Sequence, residues 1–411
     1  MNTIAIIGGG ASGMMAALVA ARAGANVTLY EHNTTVGKKI LASGNGRCNI
    51  TNTRITQEHY YGLDPSFVEY PLSCLPYARF ETFCASLGLL LECKEDGRCY
   101  PFSQEAKTVL WAFQRALEAS SVKVVTDTNV TAITHKKGLF TVHTDHEKQG
   151  GFTHVLIATG SQAAPQMGAT GDGYAFAKGL GHTIHPTYPA LVQLHLKEST
   201  PAKMAGVRMM ANVTLRVKEQ ALTAVMGDIL FTAYGISGLA ILDISTTASL
   251  ALSRQQHVSI TLELLPQWDT TKLSHVLKTL CVNAPQLTLE EALSTLLPLK
   301  IIPHLLKTIT ILPATPVRKL DPKMVKRVVE GIKNWRFEVS DTHGFKHAEA
   351  SGGGVSTAEV NPKTMESLRL KGLYFAGEVL DIVGQRGGYN FHFAWASGMI
   401  AGEAMARSNE T

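Results

Sequence analysis

A glycine-rich turn near the N-terminus constrains the fold of this chain more than any other feature. Gly8, Gly10 and Gly13 form a G-x-G-x-x-G pattern between an apolar β-rich run, Thr3–Ile7, and a segment with helical spacing, Met14–Ala23. The first glycine allows a tight turn, the second lets the backbone approach a pyrophosphate, and the third lets the helix pack against the strand. This order of strand, turn and helix predicts the first βαβ unit of an open parallel sheet that binds a dinucleotide.

The second strand of this unit, Asn26–Glu31, ends in an acidic residue. Glu31 can accept hydrogen bonds from both adenosine ribose hydroxyls, and its charge disfavours a cofactor with a 2′-phosphate. The helix N-terminus offers free N–H groups and a partial positive charge to the phosphates. We therefore expect cofactor contacts from Gly8, Gly10, Ala11, Ser12, Gly13, Glu31 and His32.

A loop rich in glycine, asparagine and basic residues is predicted from Val36 to Asn52. Its glycines and asparagines tolerate positive φ and expose N–H groups, which suits close approach to a flat ring or a phosphate. Its basic residues suit a pyrophosphate or an anionic substrate, although a solvated surface loop is the alternative interpretation. The cofactor contacts expected here are Lys39, Gly44, Gly46, Arg47, Cys48 and Asn49.

The C-terminal part repeats this combination of strand, glycine-rich loop and helix. A predicted strand, Leu373–Phe375, leads into G-E-V-L-D-I-V-G-Q-R-G-G-Y-N, and an apolar helix is predicted over Phe391–Ala406. The start of that helix can place N–H groups against the pyrimidine edge of a flavin and stabilise its anionic reduced form. We expect contacts from Gly377, Glu378, Asp381, Gly387, Gly388, Tyr389, Asn390 and Phe391. Further contacts are expected from Val130 and from Thr159 and Gly160, which follow a predicted buried strand.

The predicted fold class is α/β, with a Rossmann-type domain interrupted by a β-rich, barrel-like domain and a small helical domain. Composition shifts near Pro186, where alternating β-rich runs begin, and strand signals nearly vanish between Trp268 and Asn334. The predicted boundaries are residues 1–187 and 352–411 for the first domain, 188–264 and 335–351 for the β-rich domain, and 265–334 for the helical domain.

Composition indicates an ordinary globular chain of 411 residues, with 45% hydrophobic and 17% charged residues. The net charge of +5 comes from 38 basic and 33 acidic residues, which we interpret as scattered along the chain and as too few for a nucleic-acid footprint. No targeting or membrane-spanning segment and no metal site are predicted. The six cysteines include no CxxC pair, so we expect reduced thiols and a cytoplasmic location. Cys48 in particular is expected to be a free thiol.

The three motifs together resemble those of the BaiN-type NAD(P)/FAD-dependent oxidoreductases, a family that includes aminoacetone oxidases and belongs to the glutathione-reductase-like flavoproteins. The resemblance spans the chain, since the motifs lie near residues 10, 45 and 385. It implies FAD as the cofactor. We expect FAD to be held non-covalently, because no histidine lies between Lys38 and Asn52. One departure concerns a family stretch like L-F-T-H-x-G-x-S-G-P, where this chain has Ala233 and Leu239 in place of the histidine and the proline.

The expected function is a FAD-dependent oxidoreductase that acts on a small or medium organic substrate. Because no second G-x-G-x-x-G lies in a strand–helix context, NADH or NADPH is expected to bind only transiently as the electron donor. A direct oxidase that uses oxygen, a flavin-dependent RNA-modifying protein and a regulatory flavoprotein are the alternatives. The RNA alternative depends on a basic group that we interpret as a solvated helix face, made of Arg318, Lys319, Lys323, Lys326, Arg327 and Lys333.

Catalytic residues are the least determined feature of the sequence. The candidates near the flavin are Tyr234, Arg386, Tyr389 and His392, and the sequence gives His185 and His343 equal standing. A lone histidine is more often structural than catalytic. The identity of the substrate and the oligomeric state stay open at this stage.

Overall fold

The computed structural model describes residues 2–407, so residues 408–411, at the end of the predicted first domain, lie outside the described residues. The chain divides into two compact units. Unit 1 consists of the residues up to Tyr188 together with those from Glu349 onward, and unit 2 is Pro189–Ala348. The further separation of a helical domain over residues 265–334 stays a prediction.

The strands of the described residues, in chain order, are β1 (Thr3–Ile7), β2 (Asn26–Tyr30), β3 (Thr51–Asn52), β4 (Tyr60–Tyr61), β5 (Leu91–Cys93), β6 (Arg98–Pro101), β7 (Lys123–Val125), β8 (Val130–Lys136), β9 (Leu139–Thr144), β10 (Lys148–Phe152), β11 (His154–Ile157), β12 (Ile184–Ala190), β13 (Leu194–Leu196), β14 (Arg208–Val217), β15 (Gln220–Phe231), β16 (Gly235–Ser237), β17 (Val258–Glu263), β18 (Trp335–Thr342), β19 (Ala350–Val355), β20 (Leu373–Phe375) and β21 (Val383–Gly384). The α-helices are α1 (Ala11–Arg22), α2 (Lys38–Ala42), α3 (Glu69–Cys74), α4 (Tyr77–Ser86), α5 (Ala106–Ala119), α6 (Asp172–Gly179), α7 (Thr200–Lys203), α8 (Leu239–Ser253), α9 (Thr270–Asn283), α10 (Leu289–Leu293), α11 (Ile302–Thr308), α12 (Pro322–Lys333) and α13 (Tyr389–Arg407).

Unit 1 is built on a five-stranded parallel sheet in the order β20-β11-β1-β2-β7. Its central strands β11, β1 and β2 are buried except at the first residues of β1 and β2, as expected for a parallel sheet that is covered on both faces. Helices α1 and α13 pack tightly against each other, because Gly398 and Gly402 lie directly on the backbone of α1. The Rossmann-type fold predicted from the glycine turn is confirmed.

Unit 2 contains a closed six-stranded barrel in the order β13-β16-β15-β14-β17-β18. Its strands pair antiparallel, and their inward residues form one apolar core with the buried faces of α8 to α12. The predicted barrel-like β-rich part is thereby confirmed. Helix α8 was not predicted, because apolar and small residues occupy nearly all sides of Leu239–Ser253 and leave no amphipathic period.

Two sequence-based expectations are wrong. Cys93 and Cys99 lie directly opposite each other on β5 and β6 and form a disulfide, so not all six cysteines are reduced thiols. The sequence pattern missed this pair because five residues and a hairpin turn separate the two cysteines, whereas the search considered only CxxC spacing. The segment from Val36 to Asn52 also contains the short helix α2, followed by a 3₁₀ turn over Ser43–Gly46.

Among residues 2–407, no helix combines the length and the apolar character that a membrane span requires.

Candidate cofactor site

The glycine turn has the geometry that its spacing predicts. Gly8 has a φ of +107°, and a Cβ added there would lie 2.5 Å from the carbonyl oxygen of Ala158 on the neighbouring strand connection. A Cβ on Gly13 would lie 1.9 Å from the carbonyl oxygen of Gly8, so the helix packs directly on the turn. A Cβ on Gly10, in contrast, would have no protein atom within 4 Å. The turn therefore leaves open space beside Gly10, where a phosphate needs it.

The N-terminus of α1 supplies hydrogen-bond donors to that space. Helix α1 begins at Ala11, and Gly10 provides no side-chain cap and no acidic residue stands in the first turn. The first N–H groups of a helix have no intrahelical acceptor, and the helix dipole makes this end positive. Gly10, Ala11, Ser12 and Gly13 thus form an uncapped anion site of the kind that binds pyrophosphate.

Glu31 lies at the end of β2 and is buried with 7% exposure. Its Oε2 atom accepts a hydrogen bond from the backbone N–H of Gly9 at 2.8 Å. Its Oε1 atom accepts from the backbone N–H and from the side-chain amide of Asn33, at 2.8 and 2.7 Å. The carboxylate therefore joins the end of β2 to the glycine turn. Because two carboxylate oxygens offer about four lone-pair positions, Glu31 retains acceptor capacity for ribose hydroxyls.

The segment after Gly37 combines a short helix with a turn in unusual backbone conformations. Gly44, Asn45 and Gly46 all have positive φ, and no protein atom would meet a Cβ on Gly46. Successive residues of this kind form a concave backbone surface that suits anions and flat rings. Arg47 is exposed, and its guanidinium lies 5.3 Å from the ring centroid of Tyr100. The expected loop contacts at residues 44–47 therefore border open space.

Cys48 follows this turn but is fully buried. Burial raises the pKa of its thiol to about 12, so the thiolate is not populated near neutral pH. The expected free thiol is confirmed, and the geometry assigns the Cys48 side chain to packing; a cofactor contact of this residue would involve its backbone.

Side chains of the loop and of the C-terminal segment bind each other directly. Asn52 donates to the carbonyl oxygen of Gly387 at 2.9 Å, and Thr51 is hydrogen-bonded to His392 Nδ1 at 2.8 Å. Trp395 on α13 donates to the carbonyl oxygen of Ile50 at 3.0 Å. Two motifs that are separated by more than 300 residues in the chain therefore form one site in unit 1.

Two carboxylates of the C-terminal segment, Glu378 and Asp381, accept hydrogen bonds from backbone N–H groups. Lys39 forms an ion pair with Glu378 at 2.7 Å, and the other oxygen of Glu378 accepts from the backbone N–H of Ser351. Asp381 is buried with 4% exposure and accepts from the N–H groups of Gly353 and Leu63. Burial raises the pKa of Asp381 above its ordinary value.

Tyr174 on α6 belongs to the same region, although the sequence did not indicate it. Its hydroxyl is buried. Burial, with Glu378 nearby, raises the pKa of Tyr174 well above the usual range for a phenol. A lone tyrosine in a helical pattern carries no local signal of this placement.

The N-terminus of α13 forms the second helix end at the site. Gly387 and Gly388 precede the helix, which begins at Tyr389. Gly388 has a φ of +96°, and a Cβ there would lie 2.4 Å from the carbonyl oxygen of Thr51. Asn390 binds both the N–H and the C=O of Gly384, which fixes the loop before the helix. The loop therefore holds the first N–H groups of α13 beside the loop of residues 49–52, with Phe391 half-buried next to them.

The end of β11 borders the glycine turn. The Thr159 hydroxyl is buried and has no hydrogen-bond partner in the described part of the chain. Gly160 has a φ of +74° and open space at the Cβ position. Val130 begins β8 and is 7% exposed, and His32 follows Glu31 with a side chain that is 38% exposed. A ligand bound beside Gly160 would supply the hydrogen-bond partner that the Thr159 hydroxyl lacks in the described residues.

The four catalytic candidates lie in different environments. His392 is fully buried, its Nδ1 is hydrogen-bonded to Thr51, and its Nε2 is hydrogen-bonded to the carbonyl oxygen of Leu75. Burial lowers its pKa to about 4, so the ring is neutral. The catalytic role expected for His392 is therefore wrong, since neither nitrogen can reach a substrate; the residue positions the loop against α13.

Tyr389 and Arg386 lie beside the C-terminal glycines. The Tyr389 ring is buried and stacks on His59, with ring centroids 4.3 Å apart. Burial raises the pKa of Tyr389. Arg386 is half-buried and interacts with other residues of the chain.

Tyr234 lies in unit 2, in a cluster of aromatic and imidazole rings. Its ring stacks on His343 with centroids 3.9 Å apart, and His343 stacks on His347 at 4.0 Å. His195 Nε2 is hydrogen-bonded to His343 Nδ1 at 2.7 Å. Burial, and then the neighbouring histidines, lower the pKa of His343. The sequence pointed to Tyr234 and His343 but missed His195, which lies on β13, and His347, which lies in a 3₁₀ turn over Phe345–His347.

The residues of unit 1 fit FAD by three observations: an uncapped helix start beside open space, a buried carboxylate at the ribose position, and a second helix start held by glycines. Gly8 to Gly13, Glu31, Gly46, Gly160 and the first residues of α13 would hold the cofactor. FAD, when bound, supplies hydride transfer. The fold and this site define a Rossmann-type flavoprotein.

Comparisons with known proteins agree with this class. The family model described as the HI0933-like protein Rossmann domain matches residues 2–404. The chain is 38% identical over 99% of both chains to a 3-dehydro-bile acid delta(4,6)-reductase of Clostridium scindens. It is 30% identical over 98% of both chains to a ribosomal RNA dihydrouridine synthase of Haemophilus influenzae.

A solved structure, the 3-ketosteroid delta1-dehydrogenase of Sterolibacterium denitrificans, matches 99% of this chain and 100% of its own with a TM-score of 0.52. Its 12% identity supports the fold alone. The chain belongs to the HI0933-like family of Rossmann FAD-binding proteins, a BaiN-type flavoprotein family, and it is a FAD-dependent oxidoreductase.

Proposed function

We propose that this protein reduces a carbon–carbon double bond that is conjugated with a carbonyl group. The observation that carries the proposal is the full-length similarity to two relatives whose names describe this type of reduction. A 3-dehydro steroid with double bonds at positions 4 and 6 is a conjugated ketone. Dihydrouridine forms when the double bond of uracil, which is conjugated with a ring carbonyl, becomes saturated. One chemistry therefore covers both substrates.

The proposed reductant is NADH or NADPH, bound transiently. The support is the single glycine turn, since the sequence offers no second dinucleotide-binding turn in a strand–helix context. The acidic Glu31 belongs to the FAD ribose in this proposal and does not select between the two nicotinamides.

The reduction also consumes one proton at the carbon next to the carbonyl group, which a general acid or solvent supplies.

Anaerobic spectroscopy tests the reaction. NADH or NADPH should bleach the flavin spectrum within seconds, and a 3-keto-4-ene steroid or a uridine-containing RNA should restore it with formation of the saturated product.

Two results would contradict the proposal. One is the absence of bleaching by either nicotinamide at millimolar concentration together with bleaching by a saturated amine, which describes an oxidase. The other is a reduced flavin that neither conjugated compound reoxidises.

A further inference from the structure

The net positive charge of this protein is concentrated in one segment of unit 2. Residues 265–334 contain eight lysines and two arginines against two aspartates and three glutamates, a net charge of +5. The whole chain also has a net charge of +5, so basic and acidic residues balance in the remaining 341 residues. The excess of basic over acidic residues therefore lies in this segment, although 28 of the 38 basic residues lie elsewhere in the chain.

Five of these ten basic residues are exposed on two packed helices: Lys272 and Lys278 on α9, and Lys323, Lys326 and Arg327 on α12. On α12, Val325, Val328 and Ile332 face the core of unit 2. The 3₁₀ turn over Val317–Lys319 also packs against α9. We define the basic surface as the exposed cations of these elements, which are Lys272, Lys278, Arg318, Lys319, Lys323, Lys326 and Arg327.

The charges of this surface are not neutralised within the fold. In the described part of the chain, Lys319, Lys323 and Lys326 form no ion pair, whereas the neighbouring Lys333 is paired with Glu263. Asp321 caps the N-terminus of α12 by accepting a hydrogen bond from the N–H of Met324, and this acidic cap offsets the unfavourable position of Lys323 in the first turn.

We propose that the basic surface binds the phosphate backbone of RNA. Exposed cations that are spread over two helices can contact successive phosphates of a nucleic-acid backbone. A single small anion would instead be bound by buried donors that converge on one point. A membrane is the poorer match, because helices that lie on a membrane expose leucine or aromatic residues beside their cations, whereas the exposed residues of α12 are Pro322, Lys323, Lys326, Arg327 and Glu330. The inference extends the proposed function, since it selects an RNA-borne ring as the substrate.

Fluorescence anisotropy of the FAD-bound protein with a labelled hairpin RNA of about 20 nucleotides tests the inference. The test variant is Lys319→Glu/Lys323→Glu/Lys326→Glu. The matched control is Lys107→Glu/Lys123→Glu/Lys136→Glu, which changes the net charge equally at exposed lysines of unit 1. We expect the test variant to bind at least tenfold more weakly at 50 mM salt. Its plot of log affinity against log salt should be shallower by about 2, given a slope of roughly 0.7 to 0.9 per lost phosphate contact.

Several outcomes would overturn the inference: no binding of the wild-type protein at micromolar concentration, equal losses in the test and control variants, or tighter binding to phosphatidylserine vesicles than to RNA. A Lys→Gln version of the test variant provides the measurement if the Glu version does not fold. Bleaching by NADPH and turnover of a free 3-keto-4-ene steroid should be unchanged in the test variant. RNA binding without any double-bond reduction would contradict the proposed function but not this inference. Reduction of the free steroid without RNA binding would contradict this inference but not the proposed function.

Discussion

Replacing Glu31 by Gln perturbs one carboxylate at the junction of β2 and the glycine turn. The carboxylate accepts three hydrogen bonds, one from Gly9 on Oε2 and two from Asn33 on Oε1. A glutamine side chain keeps the shape but offers only one acceptor oxygen. If that oxygen serves Asn33, the amide NH₂ group faces the N–H of Gly9, and the turn loses its link to β2.

The magnitude follows from the number of interactions lost. A hydrogen bond to a charged group contributes about 1.5–3 kcal/mol, and an orphaned buried donor costs about 1–3 kcal/mol. The loss of one ribose hydrogen bond should therefore weaken FAD binding by roughly 10- to 100-fold, at about 1.4 kcal/mol per factor of ten. The loss of the Gly9 hydrogen bond should in addition lower the free energy of unfolding of the FAD-free protein by about 1–3 kcal/mol.

Flavin fluorescence titration of the FAD-free protein measures the first effect, and denaturant unfolding measures the second. Glu95→Gln is the control, because the Glu95 side chain is exposed and forms no ion pair in the described residues. An FAD dissociation constant within twofold of the wild-type value, with an unchanged free energy of unfolding, would refute the assignment of Glu31.

Three further predictions concern the same unit. Gly10→Ala should change the melting temperature of the FAD-free protein by no more than about 2 °C, because the added Cβ meets no protein atom; it should weaken FAD binding at least tenfold, because the Cβ enters the open space that the phosphate needs. Gly13→Ala should lower the melting temperature even without FAD, because its Cβ would lie 1.9 Å from the carbonyl oxygen of Gly8. The pKa of His392 is about 4 in the folded protein, against an ordinary value near 6.5, so the unfolded chain binds a proton more readily than the folded one between these pH values. The free energy of unfolding should therefore have its maximal contribution from His392 above about pH 6.5 and should fall by about 3 kcal/mol as the pH drops to 4. Denaturant titrations across this range should give a flatter profile for His392→Gln, and an equally steep profile would contradict the assignment. Cys48 should resist maleimide labelling at pH 8 in the native protein and react after unfolding; rapid native labelling, located by mass spectrometry, would refute its burial.

Features that depend on neighbouring residues were predictable from the sequence. The strand Thr3–Ile7 has the predicted bounds, since it is a short apolar run that the glycine turn ends. The glycine turn and Glu31 are separated by about 20 residues, so a single βαβ pattern defines both. Helix α8 escaped prediction because a helix that is apolar on nearly all sides has no period to detect.

Features that depend on distant parts of the chain were decided by the tertiary structure. No local pattern relates Thr51 to His392, yet their hydrogen bond closes the site and removes His392 from the catalytic candidates. The same holds for the disulfide across the β5–β6 hairpin and for the cluster around Tyr234. The sequence by itself determined the class of fold and a dinucleotide site, because both follow from short stretches with strong backbone requirements, and the family resemblance of its motifs implied FAD. The tertiary structure determined which side chains are neutral, buried or exposed, because burial and charge depend on what the rest of the chain packs around each group.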